Sequence, residues 1–192
     1  MKKILIIQGH PGKESLCSSI AKAYYEEAEK SGYSIRLMDL NELKFDLTLH
    51  VAYKSEQKLE PDLILAQQYI TEADHLVFVF PNWWSSMPAL LKGFIDRTFL
   101  PGFAFKYRAK LPLPEKLLKN KTARIIITMD SPPWYYKWFA KAPGLNALKK
   151  GTLEFSGISP VKSTLLGPVR KAPQSRIDFF LNVAKNLGNK GI

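Results

Sequence analysis

The stretch ILIIQGHPGKESL at residues 4–16 decides the fold. Its first four residues form a short, continuously apolar run, which is typical of a parallel strand that is buried on both faces. After the loop Gln8–Glu14, apolar residues recur at helical spacing from Leu16 to Ala28, with charged residues between them. The chain therefore opens with a strand, a loop and a helix.

The same alternation continues to the end of the chain. Further strands are predicted at Ser34–Met38, Leu76–Phe80, Ala123–Thr128 and Val161–Leu166, and further helices at Pro61–Thr71, Pro88–Phe99, Pro143–Phe155 and Ser175–Leu187. Five strands that alternate with five helices predict an α/β fold with a doubly wound, five-stranded parallel sheet and helices on both faces. Because no repeat or linker interrupts the pattern, residues 1–192 are predicted to form one domain.

Composition excludes several classes of protein. The 192 residues are 46% hydrophobic, which excludes a disordered chain. Cys17 is the only cysteine, so an intrachain disulfide scaffold is excluded, and the three histidines have no spacing that indicates a metal site. The apolar run at residues 4–7 is too short for a signal peptide, and no stretch is long enough to span a bilayer. A cytoplasmic location is the expectation.

The excess of positive charge lies in the second half of the chain. Residues 1–100 have 11 Lys and Arg against 13 Asp and Glu, whereas residues 101–192 have 17 against 4. A basic half is compatible with a nucleic acid, an anionic membrane surface, a phosphate-bearing ligand or simply a solvated face. Since no nucleic-acid-binding motif is present, nucleic acid is not an expected partner.

In a doubly wound sheet, ligands bind beyond the carboxyl ends of the strands. The loop after strand one leads into a helix that begins near Ser15, so free backbone N–H groups and the positive end of the helix dipole favour an anion there. His10 and Ser15 are candidate donors to a phosphate, and the alternative is that Ser15 only caps the helix. Neither a Walker lysine motif nor G-x-G-x-x-G is present.

Aromatic residues mark two further segments. The first segment is Pro81-Asn82-Trp83-Trp84-Ser85, which follows strand three. Because strand three is expected to lie beside strand one, this segment could place an indole face against a planar ligand near the first loop. One of the two tryptophans is expected to pack in the core, since neighbours in an extended segment point to opposite sides. Phe103, Phe105 and Tyr107 form the second segment, which is expected to cover the core, a ligand or a second subunit.

Together with Leu91-Lys92-Gly93-Phe94-Ile95-Asp96-Arg97 and Pro101-Gly102-Phe103-Ala104-Phe105, these motifs resemble the flavodoxin-like NAD(P)H quinone reductases. The resemblance runs in the same order through most of the first 130 residues. It implies a homodimer that binds FMN or FAD and passes a hydride from NAD(P)H through the flavin to a quinone by a ping-pong mechanism. Some bacterial relatives are ancillary subunits of potassium efflux systems, so a regulatory subunit docked on a membrane protein is the rival interpretation.

The resemblance also implies roles for individual residues. The expected flavin-binding residues are His10, Ser15, Leu16, Cys17, Gln67, Pro81, Asn82, Trp83, Trp84 and Ser85. Cys17 stands where many members have asparagine, and Trp84 matches the aromatic neighbour of the flavin ring. Phe105 and Tyr107 match aromatic residues of the substrate pocket, which the family contributes across the dimer interface. Lys106, Arg108 and Lys110 follow them and could attract the phosphate of NADPH.

The chain departs from the family after strand four. Where many members have Thr-Gly-Gly followed by tyrosine and histidine, this chain has Thr128-Met129-Asp130-Ser131 and no histidine after His75. Backbone N–H groups of residues 128–131 remain the expected donors to the pyrimidine side of the flavin, where reduction places negative charge. A hydroxyl of Tyr135 or Tyr136 is the expected substitute for the histidine, unless these tyrosines pack with Trp134 and Trp138.

Overall fold

The computed structural model describes residues 1–51, 57–108 and 113–192. Its main sheet is built from five parallel strands, which are β1 (Lys3–Gln8), β2 (Ser34–Asp39), β3 (His75–Pro81), β6 (Thr122–Thr128) and β7 (Val161–Leu166). Their order across the sheet is β2-β1-β3-β6-β7. The predicted doubly wound parallel sheet is confirmed, and so is the pairing of strand one with strand three, in which Ile7 lies opposite Phe78.

The principal helices are α1 (Leu16–Lys30), α2 (Pro61–Glu72), α3 (Ala89–Thr98), α4 (Pro133–Trp138), α5 (Pro143–Leu148) and α6 (Gln174–Lys190). A 3-10 turn spans Leu40–Glu42, and a π-helical turn at Lys149–Glu154 continues α5. The predicted helix at 143–155 is therefore a composite. Helix α4 was not predicted, because it has only six residues, begins at the second of two prolines and lies in a segment that lacks helical periodicity. No helix of the described residues is long and apolar enough to cross a bilayer.

The continuous apolar runs of the strands are explained by a core on each face of the sheet. Along β1, Leu5 and Ile7 pack with α2, α3 and α5, whereas Ile4 and Ile6 pack with α1 and α6. Because successive side chains of a strand point to opposite faces, both faces must be apolar when both are covered. This arrangement leaves the loops at the carboxyl ends of the strands as the exposed, polar edge of the sheet.

The excursion from 101 to 121 is a small hairpin over the described residues. Strands β4 (Phe105–Lys106) and β5 (Glu115–Lys116) pair antiparallel. Two-residue strands are too short to leave an alternating pattern in the sequence, so this hairpin was not predicted. Residues 109–112 lie outside the described residues, and the expectation for Lys110 lies there with them.

Candidate functional site

Three predicted loops meet at the carboxyl edge of the sheet. They follow Gln8 of β1, Pro81 of β3 and Thr128 of β6, which are neighbouring strands. Backbone hydrogen bonds hold the strand ends together: Gly9 N–H donates to the Val79 carbonyl at 2.8 Å, and Asn82 N–H donates to the Thr128 carbonyl at 2.7 Å. The sheet order therefore brings together the first loop, the tryptophan segment and the segment after β6.

The first loop is organised by its own polar groups. Gly12 N–H donates to His10 Nδ1 at 2.8 Å, and His10 N–H donates to the side-chain oxygen of Gln8. Ser15 is the N-cap of α1, where its Oγ accepts from Ser18 N–H at 3.1 Å and lies 2.8 Å from Ser18 Oγ. The capping role of Ser15 is thus confirmed. Its phosphate-binding role stays a prediction.

The start of α1 has the electrostatics that an anion requires. The helix is 15 residues long, and its first turn has no acidic side chain. The positive end of its dipole and the hydroxyls of Ser15 and Ser18 lie together at the end of β1. Ser18, which also accepts from Gln8 Nε2 at 3.0 Å, was missed from the sequence. Ser18 lies three residues after the N-cap Ser15, and this spacing is the sequence signal that could have identified it.

Cys17 faces inward rather than toward the loop. Its thiol is buried and lies 3.3 Å from Thr128 Oγ1, which links α1 to the end of β6. Burial raises the pKa of Cys17 to about 11, against a smaller lowering by the Thr128 hydrogen bond. The thiol is therefore protonated at neutral pH, and it contacts the end of β6 at the carboxyl edge of the sheet. Thr128, also predicted as a binding residue, is buried beside it.

The tryptophan segment forms a tight turn. Trp83 and Ser86 exchange two backbone hydrogen bonds of 2.9 Å, and the two central residues are left-handed, with φ of 50° at Trp84 and 59° at Ser85. Trp84 is fully exposed at the tip, and Trp83 is 45% exposed. The expectation that one tryptophan packs in the core is wrong, because the segment is a hairpin-like turn and not an extended one.

His10 connects this turn to the first loop. The His10 and Trp83 rings meet edge to face, with centroids 5.4 Å apart. The groups suited to a phosphate and those suited to a planar ring therefore lie side by side at the β1/β3 boundary. That arrangement fits a ligand with an aromatic ring at one end and a phosphate at the other. Pro81, which precedes the turn, is buried at the end of β3, whereas Asn82 is partly exposed.

Helix α5 supports the turn from beneath. Gly144 N–H donates to the Ser85 carbonyl at 2.9 Å. A Cβ at residue 144 would lie 2.7 Å from Ser86 Cα and 2.9 Å from Ser85 O, closer than carbon and oxygen atoms normally approach. Only glycine fits between α5 and the turn, so the position of Trp83 and Trp84 depends on Gly144.

The segment after β6 offers fewer free donors than predicted. Met129 is buried, and its N–H donates to the Leu166 carbonyl at 2.9 Å, so this amide is engaged within the protein. The Asp130 carboxylate accepts from Arg170 N–H at 3.0 Å, which joins the segment to the loop after β7. Of residues 128–131, Asp130 and Ser131 are the ones with surface at the edge of the sheet.

The two tyrosines have different environments. Tyr136 is 1% exposed, and its hydroxyl accepts from Leu145 N–H at 3.0 Å, so it fastens α4 to α5. Burial raises the pKa of Tyr136. Tyr135 is half exposed and stacks on Phe139 with centroids 5.7 Å apart. Tyr136 is therefore placed by packing, and Tyr135 is the tyrosine of α4 that is exposed to solvent.

Gln67 lies apart from the three loops. It is in the middle of α2, and its Nε2 donates to the carbonyl of Thr98, the last residue of α3, at 2.9 Å. Since α3 begins near the carboxyl edge and runs away from it, this contact lies toward the opposite edge of the sheet. The structure does not bring Gln67 together with His10 or Trp83, and its cofactor role remains a prediction.

Phe105 and Tyr107 line a separate groove of about 440 Å³. Phe105 packs edge to face with Tyr107 and Phe155 at centroid distances of 5.3 and 5.2 Å. Met87, which follows the tryptophan turn, and Ile95 of α3 form part of its wall. Nearby, Arg108 pairs with Glu115 at 3.0 Å, so its charge is already partnered.

Comparison with known proteins places this chain in a family. Residues 2–186 match a model described as flavodoxin-like fold. The chain is 32% identical over 170 residues to an uncharacterised NAD(P)H oxidoreductase of Haemophilus influenzae, covering 86% of this chain and 83% of the relative. It is 31% identical to the ribosyldihydronicotinamide dehydrogenase (quinone) of Mus musculus, covering 98% and 86%.

A solved structure extends the likeness to three dimensions. The crystal structure of a Streptococcus mutans UA159 protein is 32% identical, with a TM-score of 0.84, and the match covers 98% of this chain and 99% of that one. The similarity therefore spans all the elements that form the carboxyl edge, including α4, which the sequence pattern did not reveal.

Proposed function

The chain belongs to the flavodoxin-like family that includes the NAD(P)H dehydrogenases (quinone) and is an oxidoreductase; from this premise we propose that it uses FMN or FAD to carry a hydride from NAD(P)H to a quinone. The observation that carries the proposal is the contact of His10 with Trp83, which joins a helix terminus suited to a phosphate to an aromatic turn. The names of its relatives support a reduced nicotinamide donor and a quinone acceptor.

The residues present fit the cofactor. The hydroxyls of Ser15 and Ser18 and the start of α1 would hold the phosphate, with His10 beside them. Trp83, and Trp84 at the tip of the turn, would border the ring, and Asn82 and Ser85 offer polar groups next to them. A bound flavin supplies hydride acceptance and donation, so the task of this chain is to bind, orient and tune it.

The charge that develops on the pyrimidine side of the ring requires donors. The Met129 amide and the Tyr136 hydroxyl are engaged within the protein, which leaves Tyr135 Oη and the edge formed by Asp130 and Ser131. Tyr135 would donate a hydrogen bond there and take the role that the family gives to a histidine. A donor fixed before reaction stabilises such charge without reorganisation.

The groove at Phe105 supports a homodimer. Its exposed aromatic wall includes Tyr107, which is 70% exposed, and a second copy of the chain would bury it. In that arrangement Phe105 and Tyr107 of one protomer would line the substrate pocket of the other. Donor and acceptor would then occupy one pocket in turn, which is a ping-pong mechanism.

Steady-state kinetics with a soluble naphthoquinone test this proposal. We expect oxidation of NADH or NADPH with parallel double-reciprocal plots, because one pocket serves both substrates. Tyr135→Phe should lower kcat with little change in KM, whereas Phe179→Leu, a matched exposed aromatic on α6, should leave both unchanged. A flavin-loaded protein that does not turn over would refute the enzymatic role and favour the regulatory alternative.

A further inference from the structure

Strand β1 ends in a buried glutamine. Gln8 is 1% exposed, although residues 4–7 before it are all apolar. Because side chains alternate along a strand and Ile4 and Ile6 pack with α1, Gln8 points toward α1 as well. A buried amide is costly unless it is hydrogen-bonded, so the partners of Gln8 define what this residue does.

The backbone of the first loop fixes the direction of the Gln8 amide. His10 N–H donates to Gln8 Oε1. A backbone N–H can only donate, so the atom that faces it is the oxygen, and the Nε2 group must face the other way. There Nε2 donates to Ser18 Oγ at 3.0 Å. The loop therefore holds Gln8 as a donor to Ser18.

This donor restricts the two hydroxyls at the start of α1. Ser15 Oγ accepts from Ser18 N–H at 3.1 Å, and the two Oγ atoms lie 2.8 Å apart, so one hydroxyl donates to the other. Each hydroxyl has two lone pairs and one proton. Gln8 Nε2, Ser18 N–H and the shared proton occupy three of the four lone pairs. Whichever hydroxyl donates, one proton remains for a ligand.

A donor at this position selects a group that accepts hydrogen bonds. An ionised phosphate only accepts, whereas the terminal hydroxyl of riboflavin both donates and accepts, and bonds to an anionic oxygen are about twice as strong as neutral ones. The first turn of α1 has no acid to oppose the anion. We propose that Gln8 is a positioning residue that holds the Ser15–Ser18 pair as a phosphate donor and gives the site its preference for a phosphorylated flavin over riboflavin. The inference rests on the proposed function, because it concerns the phosphate of the same flavin.

A purely structural role for Gln8 predicts a different result. A brace between the first loop and α1 would influence FMN and riboflavin alike, since both would use the same ring site. Oriented hydroxyls matter only to the phosphate. The ratio of the two affinities therefore separates a positioning residue from a brace.

Fluorescence titration of the apoprotein with FMN and with riboflavin measures this ratio. We expect Gln8→Met to weaken FMN binding by about three- to tenfold, the equivalent of one net hydrogen bond, and to leave riboflavin binding unchanged. Ser18→Ala should have the same effect, and the double variant should be no weaker than either single variant, because Gln8 acts through Ser18. Ser19→Ala, the matched exposed serine of α1, should change neither affinity.

A second variant keeps the test available if Gln8→Met does not fold. Gln8→Glu keeps the shape and the acceptor for His10 but replaces the donor to Ser18 by an acceptor, so FMN binding should fall at least as far while riboflavin binding is retained. Far-UV circular dichroism of each variant establishes that the fold is retained.

The remaining outcomes overturn the proposal. Equal losses for FMN and riboflavin make Gln8 a brace, and an unchanged FMN affinity removes its role altogether. Losses that multiply in the double variant show that Gln8 does not act through Ser18. In each of these cases the wild-type protein still binds FMN and the proposed function stands, whereas a wild-type protein that binds neither flavin contradicts the proposed function itself.

Discussion

Gly144→Ala gives the sharpest test of how the fold positions the tryptophan turn. The new methyl carbon would lie 2.7 Å from Ser86 Cα and 2.9 Å from Ser85 O, whereas non-bonded carbons normally stay about 3.5–4.0 Å apart. The turn must therefore move by roughly 1 Å, and the 2.9 Å hydrogen bond from Gly144 to Ser85 must lengthen. Overpacking of this kind costs about 1–3 kcal/mol, so we expect Gly144→Ala to lower the free energy of unfolding by about 2 kcal/mol.

Gly151→Ala is the matched control for this substitution. Nothing lies within 4 Å of a Cβ at residue 151, which is in the π-helical turn that continues α5. Because alanine favours helix over glycine, this variant should be neutral or stabilised by up to about 1 kcal/mol. Thermal unfolding should therefore place Gly144→Ala roughly 4–8 °C below the wild-type protein and Gly151→Ala at or above it.

The same pair of variants separates stability from function. Where a turn borders the reacting ring, as proposed for the tryptophan turn, a shift of about 1 Å can lower turnover by as much as a hundredfold. We expect that loss in Gly144→Ala at a temperature where the variant is still folded, and none in Gly151→Ala. If the two variants have equal melting temperatures and equal turnover, the turn is not held by α5 and the reasoning is refuted.

Three further predictions concern buried polar groups. Burial lowers the pKa of His75 to about 3, so below pH 6.5 the unfolded chain binds a proton that the folded chain does not bind. The free energy of unfolding should therefore decrease by about 1.4 kcal/mol for each unit by which the pH is lowered between pH 5.5 and 4. In urea titrations, His75→Gln should remove this part of the pH dependence. Cys17, with its pKa raised to about 11, should react with a disulfide reagent at pH 8 only as the protein unfolds, and fast labelling of the native protein would contradict its burial. The buried Arg97 guanidinium donates to the Glu60 carboxylate at 2.8 Å and to the Asp46 carbonyl, so Arg97→Met should lower the free energy of unfolding by about 1–3 kcal/mol in chemical denaturation, and an unchanged value would contradict a stabilising role of these hydrogen bonds.

The sheet could be predicted from the sequence because each strand is covered on both faces. Continuous apolar runs such as residues 4–7 and 76–80, which alternate with amphipathic helices, are typical of parallel strands that are buried on both faces. The predicted pairing of strand three with strand one correctly placed the first loop beside the tryptophan segment, whereas the order of the remaining strands was not predicted.

The turn and α4 could not be predicted because their geometry is set by tertiary contacts. A turn with positive φ at two successive residues normally contains glycine or asparagine, whereas here Trp84 and Ser85 adopt it with Gly144 packed beneath. Likewise, nothing in the order Trp134-Tyr135-Tyr136 tells which tyrosine is buried. The hydrogen bond from Leu145 to Tyr136 settles that choice in the folded chain.

The central claim is that a flavin binds between the first loop and the tryptophan turn. The most direct measurement is to denature the purified protein, identify any released chromophore by mass, and titrate the apoprotein with FMN and with FAD while following tryptophan emission. Because Trp83 and Trp84 form the turn proposed to border the ring, we expect one flavin per chain to quench part of the tryptophan emission, and Ser15→Ala to weaken binding. A protein that releases no flavin and takes none up, with unchanged emission, would contradict the claim.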